Sequence, residues 1–235
     1  MSGKKPKPIG FKKTELGKTE LKIVAKGTPA KTKAKPKMDS RARRTRDSLG
    51  DALVDLMQER PFKSITVQDV LDRAEVGRST FYTHYRDKDD LFLSDVEDFW
   101  EMMTTMLERR GEQSNRVAPV RELFGHIREV GDFRKSVVDS GKAHDVMELG
   151  QGHFARAIEQ RLKKLCAAQG IAPRNFTVEA HAFAGALFAS LNWWVDHGMK
   201  VSAEEMDDSF HRLVWSGVKA AVPEQAAKPG PSTSR

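Results

Sequence analysis

The sequence predicts an all-α protein, and three observations support that prediction. From Ser40 onward, one segment after another places apolar residues at the i, i+3, i+4 and i+7 spacing of an amphipathic helix. No convincing run alternates apolar and polar residues as a half-buried strand would. Proline, glycine and helix-capping residues separate the segments. The pattern indicates a succession of helices with a disordered segment at each end.

The N-terminal segment, residues 1–37, is predicted to be disordered because it is rich in Lys, Pro, Gly and Thr and lacks apolar periodicity. It holds twelve Lys against two Glu, a net +10, so the total charge of +7 leaves −3 for residues 38–235. Such a segment suits an anionic partner, nucleic acid first, but it could equally serve only to solubilise the chain. Translation could also begin at Met38, which follows it directly. Residues 223–235 are predicted to form a second disordered tail.

Several classes of protein fit the composition poorly. No apolar run approaches the roughly 20 residues of a membrane helix, and no secretion signal is visible, which predicts a cytoplasmic protein without a membrane partner. Cys166 is the single cysteine, which rules out an internal disulfide framework and a multi-cysteine metal site. The histidines lack HExxH-type spacing, and no Gly-rich phosphate loop occurs in a suitable context. We therefore predict no metal, no cofactor and no catalytic site.

The first three helices are expected between residues 40 and 85. The first carries an apolar stripe that ends at Pro61. Thr66 and Asp69 then show the spacing of a capping box, which opens a short second helix. A brief turn around Gly77 leads to a third helix over residues 78–85. Helix, short turn and helix form the arrangement in which the second helix can lie in a DNA major groove.

Two sides of the third helix differ on a helical wheel. Phe81 and Tyr85 fall together and are expected to face the core, with Tyr82 at the boundary. The opposite arc holds short hydrogen-bonding side chains, namely Ser79, Thr80, Thr83 and His84. Hydroxyl and imidazole groups suit phosphates and base edges, and an arginine at the helix start, Arg78, can pair with guanine. Lys88, which begins the next helix, is placed for a phosphate. The alternative is an ordinary solvated polar face.

A resemblance to a known family adds to this interpretation. The run TVQDVLDRAEVGRSTFYTHYRDKDDL, and the chain from Ser40 to Leu91 more widely, resembles the DNA-binding domain of TetR-family transcriptional regulators, without insertion. The departures are Glu75 for the usual glycine, Gly77 for serine and Tyr85 for phenylalanine. The resemblance implies a domain of three helices over residues 38–90.

The resemblance also implies individual roles in DNA binding. Residues aligned with phosphate contacts are Thr80, Tyr82 and Lys88, and Thr66 aligns with a contact at the start of the second helix. Residues aligned with positions that face base edges are Gln68, Arg78, Thr83 and His84. Four arginines at the start of the domain are expected to add backbone or minor-groove contacts: Arg41, Arg43, Arg44 and Arg46.

The remaining segment, residues 91–222, is predicted to be a larger helical domain for effector binding and dimerisation. Residues 176–197 are apolar nearly all round, and residues 206–218 carry an apolar stripe, so one face of each has no obvious partner within the chain. A homodimer would bury those faces, although one bundle could also satisfy them internally. The predicted interface consists of Phe183, Leu187, Leu191, Trp194, Phe210, Leu213, Val214 and Gly217.

Large apolar residues of the same domain could line a pocket for a small apolar or aromatic effector. The residues expected there are Trp100, Met103, Phe124, Ile127, Met147, Phe154 and Trp193. Because large residues at helical spacing usually form a core, the sequence leaves the two interpretations open.

The sequence therefore predicts a sequence-specific, dimeric DNA-binding regulator that is not an enzyme. Its expected partners are double-stranded operator DNA, a second copy of the chain and a small effector that releases it as a repressor. Two alternatives stay open. One is a non-specific DNA-binding protein driven by the basic segment, and the other is a helical ligand-carrying or catalytic dimer with a vestigial DNA reader.

Overall fold

The structure is a computed structural model that describes residues 40–170 and 175–220, without the side chains of residues 131–134. Both segments predicted to be disordered lie outside the described residues. The described part is all helical, which confirms the predicted fold class. Its nine α-helices are α1 (Ser40–Glu59), α2 (Val67–Ala74), α3 (Arg78–His84), α4 (Lys88–Arg109), α5 (Val120–Glu129), α6 (Gly131–Ser140), α7 (Ala143–Ala168), α8 (Thr177–Asp196) and α9 (Ala203–Ala220), with a short 3-10 helix at Phe62–Ser64.

Helices α1 to α3 form the unit that we call the reader domain. The predicted capping box opens α2: the Asp69 amide donates to Thr66 Oγ1 at 3.2 Å, and the Thr66 amide donates to Asp69 Oδ2 at 2.7 Å. Arg60 also binds the Asp69 carboxylate at 2.8 Å, and these hydrogen bonds lower the pKa of Asp69. The cap and the ion pair together fix where α2 begins.

The turn between α2 and α3 contains two of the departures from the family pattern, Glu75 and Gly77. Glu75 ends α2 at φ 54° and ψ 39°, a left-handed conformation that glycine adopts without the steric cost of a Cβ atom. Gly77 precedes α3 at φ −68° and ψ 145°, an extended conformation open to any residue. The glycine is therefore not needed at 77, and a non-glycine residue occupies the one strained position of the turn.

Helices α4 to α9 form the large domain, in which α8 packs along α7, α7 along α4, and α9 along α5. Three of these helices approach closely at Gly150 on α7. A Cβ atom there would lie 2.7 Å from Phe188 Cζ and 2.8 Å from Trp100 Cε2, so only glycine fits. The Trp100 ring in turn packs edge-on against Phe154, with centroids 6.0 Å apart. Aromatic rings from three helices thus meet around one glycine.

A cluster of ionised side chains holds α9 to the segment before α5. Arg116 donates to Asp207 Oδ1 at 2.8 Å and to Glu122 Oε1 at 3.1 Å, and all three side chains are largely buried. The Val117 amide donates to His211 Nε2 at 3.0 Å, so Nδ1 of that ring carries the proton and faces the Asp207 carbonyl at 2.8 Å. Burial raises the pKa of Asp207, but the hydrogen bonds from His211 and Arg116 outweigh it and hold the pKa at about 2.

Helix α4 joins the two domains, because its first turn belongs to the reader sequence and its remainder to the large domain. The predicted domain boundary at residues 90–91 falls inside this helix. Helix α6 packs against both α1 and the 3-10 helix, and Lys142 Nζ lies 2.7 Å from Asp89 Oδ1 on α4. Within the two described ranges, no helix combines the length and apolar character needed to cross a membrane.

Candidate nucleic-acid interface

Helix α3 is anchored by the two aromatic side chains that the helical wheel assigned to the core. Phe81 and Tyr85 are buried, and their ring centroids lie 5.7 Å apart. Tyr82 meets Phe81 edge-on at 5.3 Å, yet its side chain is 52% exposed. This arrangement confirms the predicted division of the helix, with Tyr82 between the core and the solvent.

The polar arc of α3 faces outward as expected. Ser79, Thr80 and Thr83 are exposed and His84 is half-buried. The Thr83 hydroxyl donates to the Ser79 carbonyl at 2.9 Å, which leaves its oxygen as an acceptor on an exposed side chain. The arc therefore offers hydroxyl, methyl and imidazole groups on one side of a rigidly held helix.

Gln68 on α2 and Arg78 at the start of α3 are brought together, although they lie ten positions apart in the sequence. Arg78 Nη2 donates to Gln68 Oε1 at 3.2 Å, and both side chains are exposed. The two helices thus contribute neighbouring side chains of the kind that read base edges.

Lys88 and Thr66 have other partners than those expected. Lys88 Nζ donates to the carbonyls of Phe62 and Ile65, each at 2.7 Å, and lies over the Phe62 ring. Burial lowers the pKa of this lysine. The Thr66 hydroxyl donates to Asp69 within the capping box. In the free protein both side chains therefore stabilise the reader domain. The contacts of Lys88 arise because the 3-10 helix lies next to the start of α4, and the spacing of residues in the sequence does not reveal this proximity.

Arg46 also has hydrogen-bond partners within the protein. Its Nε donates to the Tyr85 hydroxyl at 3.1 Å and its Nη2 to Ser94 Oγ at 2.9 Å. It thereby ties α1, the end of α3 and α4 together in the free protein, and its expected contact with the DNA backbone stays a prediction. Arg41, Arg43 and Arg44 are exposed in the first turns of α1. Only those three arginines keep the surface position that the sequence analysis expected.

The residues predicted to line an effector pocket are not all on one side of the fold. Trp100, Met103, Phe124 and Phe154 are almost completely buried in the core, and Ile127 and Met147 pack against it half-buried. Trp193 lies outside, 49% exposed, with its ring stacked on His197 at 4.7 Å. The assignment of Trp193 to a pocket is therefore wrong, because its side chain points away from the core.

His126, a polar residue considered for the same pocket, is part of the core. Its ring lies 4.9 Å from that of Phe99, and burial lowers the pKa of His126 to about 4. The ring is therefore neutral near neutral pH.

Two adjoining grooves between α4 and α7 are concavities that sequence analysis missed. One has a volume of about 280 Å³ and the other about 450 Å³, and His153 and Arg156 line both. Their walls combine apolar surface with carboxylates, which come from Glu97, Glu101, Glu108, Asp145 and Glu148. Charged residues on exposed helix faces carry no signal of a groove until two helices are placed side by side.

The residues of the predicted dimer interface are also divided between the buried core and the exposed surface. Five of its residues are buried inside the chain: Leu187, Leu191, Trp194, Phe210 and Val214. Leu213 is 53% exposed, Gly217 is exposed, and Phe183 lies over Gly217, where a Cβ atom would be 3.2 Å from Phe183 Cζ. These five side chains face inward, which corrects their prediction as dimer-interface residues. When a helix is apolar all round, its sequence does not show which face its own chain covers.

Comparisons with known proteins agree with this geometry. Residues 49–94 match the sequence profile of bacterial regulatory proteins of the tetR family. Over 76 residues, 32% of this chain, the sequence is 29% identical to YxbF, an uncharacterized HTH-type transcriptional regulator of Bacillus subtilis, and this match spans 20% of the length of that relative.

Solved structures share the fold over most of the chain. A TetR-family protein of Syntrophomonas wolfei superposes with a TM-score of 0.56 at 16% identity, covering 77% of this chain and 98% of the other. DhaS, the dihydroxyacetone kinase operon activator, gives a TM-score of 0.55 at 16% identity, with 75% and 97% covered. Residues 49–94 are thus similar in sequence to the tetR family of bacterial regulatory proteins, and most of the chain shares its fold with these two solved structures.

Proposed function

We propose that this chain is a sequence-specific DNA-binding transcriptional regulator that acts as a homodimer. The observation that carries the proposal is α3, where Phe81 and Tyr85 are buried and the opposite arc is polar and exposed. A helix held by one face can enter the major groove without unfolding its own domain.

The proposed contacts divide into two groups. Gln68, Arg78, Thr83 and His84 face base edges, while phosphates are bound from the margins of the same surface. Those phosphate contacts come from Ser79, Thr80, Tyr82, Arg43 and Arg44. Phosphate contacts fix the position of the protein on the duplex, and base contacts select the sequence.

Dimerisation through α8 and α9 is supported by apolar side chains that the described part of the chain leaves exposed. Val178 is 79% exposed, and Trp193 and Leu213 are about half exposed. Small exposed residues, Ala182 and Ala189, lie at helical spacing between Val178 and Trp193. A second copy would cover this surface, and two reader domains would then face half-sites about one DNA turn apart.

The proposed output is repression that a small effector relieves, although DhaS shows that a protein with a similar fold is an operon activator. The effector site best supported by the structure is the pair of grooves between α4 and α7, because α4 continues directly into the reader domain. A ligand can shift the spacing of the two readers only by its preference for the non-binding state. The walls combine apolar surface with the charged groups of Arg156 and several carboxylates, which favours an amphipathic ligand.

The test is selection of bound sequences from randomised DNA duplexes by the full chain. We expect a two-fold symmetric site with half-sites about one turn apart. Tyr82→Phe should weaken binding to every sequence, since it removes one phosphate donor, whereas His84→Ala should change the base preference. If neither substitution has any effect, the assignment of α3 as the reading helix is wrong.

Deleting residues 1–37 separates this proposal from non-specific DNA coating. A regulator should keep its preferred site and lose mainly salt-dependent affinity, because tail lysines act by releasing counterions. Loss of all binding, with no sequence preference in the full chain, would instead support the coating protein. Exposed Lys200→Gln, far along the chain, provides a charge control.

A further inference from the structure

Asp72 extends the contact between Arg78 and Gln68 into a chain of three side chains on the outer surface of the reader domain. Gln68 Nε2 donates to Asp72 Oδ1 at 2.7 Å, and Arg78 Nη2 donates to Gln68 Oε1 at 3.2 Å. Gln68 and Asp72 are four residues apart on α2, so they share one side of that helix. All three side chains are exposed, so DNA lying against α3 can reach them.

The two ends of this chain fix the orientation of the amide between them. An ionised carboxylate only accepts hydrogen bonds and a guanidinium only donates them. The Gln68 amide therefore must turn its NH₂ group toward Asp72 and its oxygen toward Arg78. Without Asp72, the amide could rotate and place its N–H donors against the guanidinium, which has no acceptor.

We propose that Asp72 is a positioning residue that determines base specificity, an inference that rests on the function proposed above. Asp72 orients Gln68, and Gln68 holds one edge of the Arg78 guanidinium before DNA arrives. The guanidinium keeps further N–H donors for the O6 and N7 acceptors of one guanine. A long arginine side chain that is already oriented loses less conformational entropy when it binds.

The carboxylate also acts against unwanted sequences. Its negative charge near the duplex opposes binding to phosphates of any sequence, and it cannot donate to the acceptor-rich edge of guanine. Asp72 thus lowers general affinity while favouring the single arrangement in which Arg78 contacts guanine. Discrimination between sequences depends on such unfavourable elements as well as on attractive contacts.

Asp72→Asn tests this inference, because asparagine keeps the shape but can donate as well as accept. Randomised duplexes are selected with the wild-type chain and with the variant. We expect the preference for guanine at the base pair nearest Arg78 to fall roughly 5- to 10-fold. Binding to duplexes without the preferred site should become tighter. An unchanged base preference in Asp72→Asn would overturn the inference.

Glu75→Gln is the matched control, since it removes the same charge from an exposed position of the turn between the two helices. It should raise affinity for all duplexes without changing the guanine preference. If it changes that preference as much as Asp72→Asn does, charge alone explains the effect and the positioning role is rejected.

A Gln68→Ala background tests whether Asp72 acts through Gln68. There, adding Asp72→Asn should cause no further loss of guanine preference, and a further loss would refute the relay. If the proposed DNA-binding function itself is wrong, the wild-type chain will show no preferred sequence. That result differs from the failure of the role of Asp72, in which the wild-type chain keeps its preferred sequence. All substituted side chains are exposed, so each variant should fold. Circular dichroism of each variant checks this.

Discussion

Helix α3 of the reader domain and helix α8 of the large domain both carry a high density of aromatic or apolar residues, but their sides differ. On α3, Phe81 is buried while Ser79 and Thr83 are exposed, so polarity alone separates the inside from the outside. On α8, neighbouring tryptophans point in opposite directions: Trp194 is 1% exposed and Trp193 is 49% exposed. The difference shows that an apolar pattern identifies buried surface without stating which partner buries it.

Replacing each of the two tryptophans with alanine tests that comparison with the largest expected effect. Trp194 donates to the Val201 carbonyl at 2.8 Å, and its ring packs on Phe124 at 4.9 Å. Trp194→Ala should lower the free energy of unfolding by about 3–5 kcal/mol, because it removes a large buried ring.

Trp193→Ala is the matched variant, and it should barely change the unfolding of the monomer while weakening self-association. Urea denaturation at several protein concentrations, with sedimentation measurements, separates the two effects. Equal losses of stability in both variants at every concentration would show that the two side chains do not face different partners.

The acid sensitivity of the large domain gives the next largest expected effect. The pKa of Asp207 in the folded protein is about 2, below its value of about 3.9 in an unfolded chain. The ionised carboxylate therefore stabilises the fold above the unfolded pKa, and this stabilisation is lost as the pH falls through the folded value. The contribution is about 2–3 kcal/mol near neutral pH, from the size of the shift.

Asp207→Asn supplies the comparison for that measurement. The difference in unfolding free energy between wild type and variant should be constant above about pH 5 and shrink between about pH 4 and about pH 2. Chemical denaturation at a series of pH values measures it. A difference that is independent of pH over this range would contradict the assigned ionisation of Asp207.

The turn of the reader domain gives the smallest effects, and both are stabilising. Glu75→Gly should raise the free energy of unfolding by about 1 kcal/mol, because glycine adopts the left-handed conformation without a Cβ clash. Gly77→Ser should add about 1 kcal/mol or less by supplying a side-chain cap for α3, where the added Cβ meets only Thr80 Oγ1 at 4.0 Å.

One control variant at each position tests the two causes. Glu75→Ser keeps a Cβ atom at the left-handed position and should not stabilise the fold. Gly77→Ala adds a Cβ atom without a capping oxygen and should stabilise it less than Gly77→Ser does. Thermal denaturation of the four variants measures the ranking. If Glu75→Ser stabilised as much as Glu75→Gly, backbone strain at residue 75 would not be the cause.

Much of the reader domain could be predicted from the sequence because its signals are local. The capping box of Thr66 and Asp69 joins residues three apart, and the division between Phe81 and Thr83 repeats with the helical period. Lys88 and Arg46 could not be assigned in the same way. Their partners, Phe62 and Ser94, are 26 and 48 residues away, and only the packing of α4 brings them close.

The large domain could be predicted only to the level of its helices. Periodicity indicated that Leu187 and Leu213 would be covered by something, and the structure shows that the chain itself covers Leu187 and leaves Leu213 half exposed. The grooves beside His153 and the ion cluster of Arg116 and Asp207 join segments far apart in the chain. No local pattern encodes such a meeting.

The sequence by itself determined the helical class, the position of the helix-turn-helix and the polar arc of α3, because each depends on residues within one or two turns. Only the tertiary structure decided which apolar face of α8 is inward and that Lys88 and Arg46 stabilise the fold. It also decided that Gln68 lies between Asp72 and Arg78 in a chain of hydrogen bonds. The physical reason is the range of the interactions. Propensity and capping act along the chain, whereas burial and hydrogen-bond partners depend on which helices meet in space.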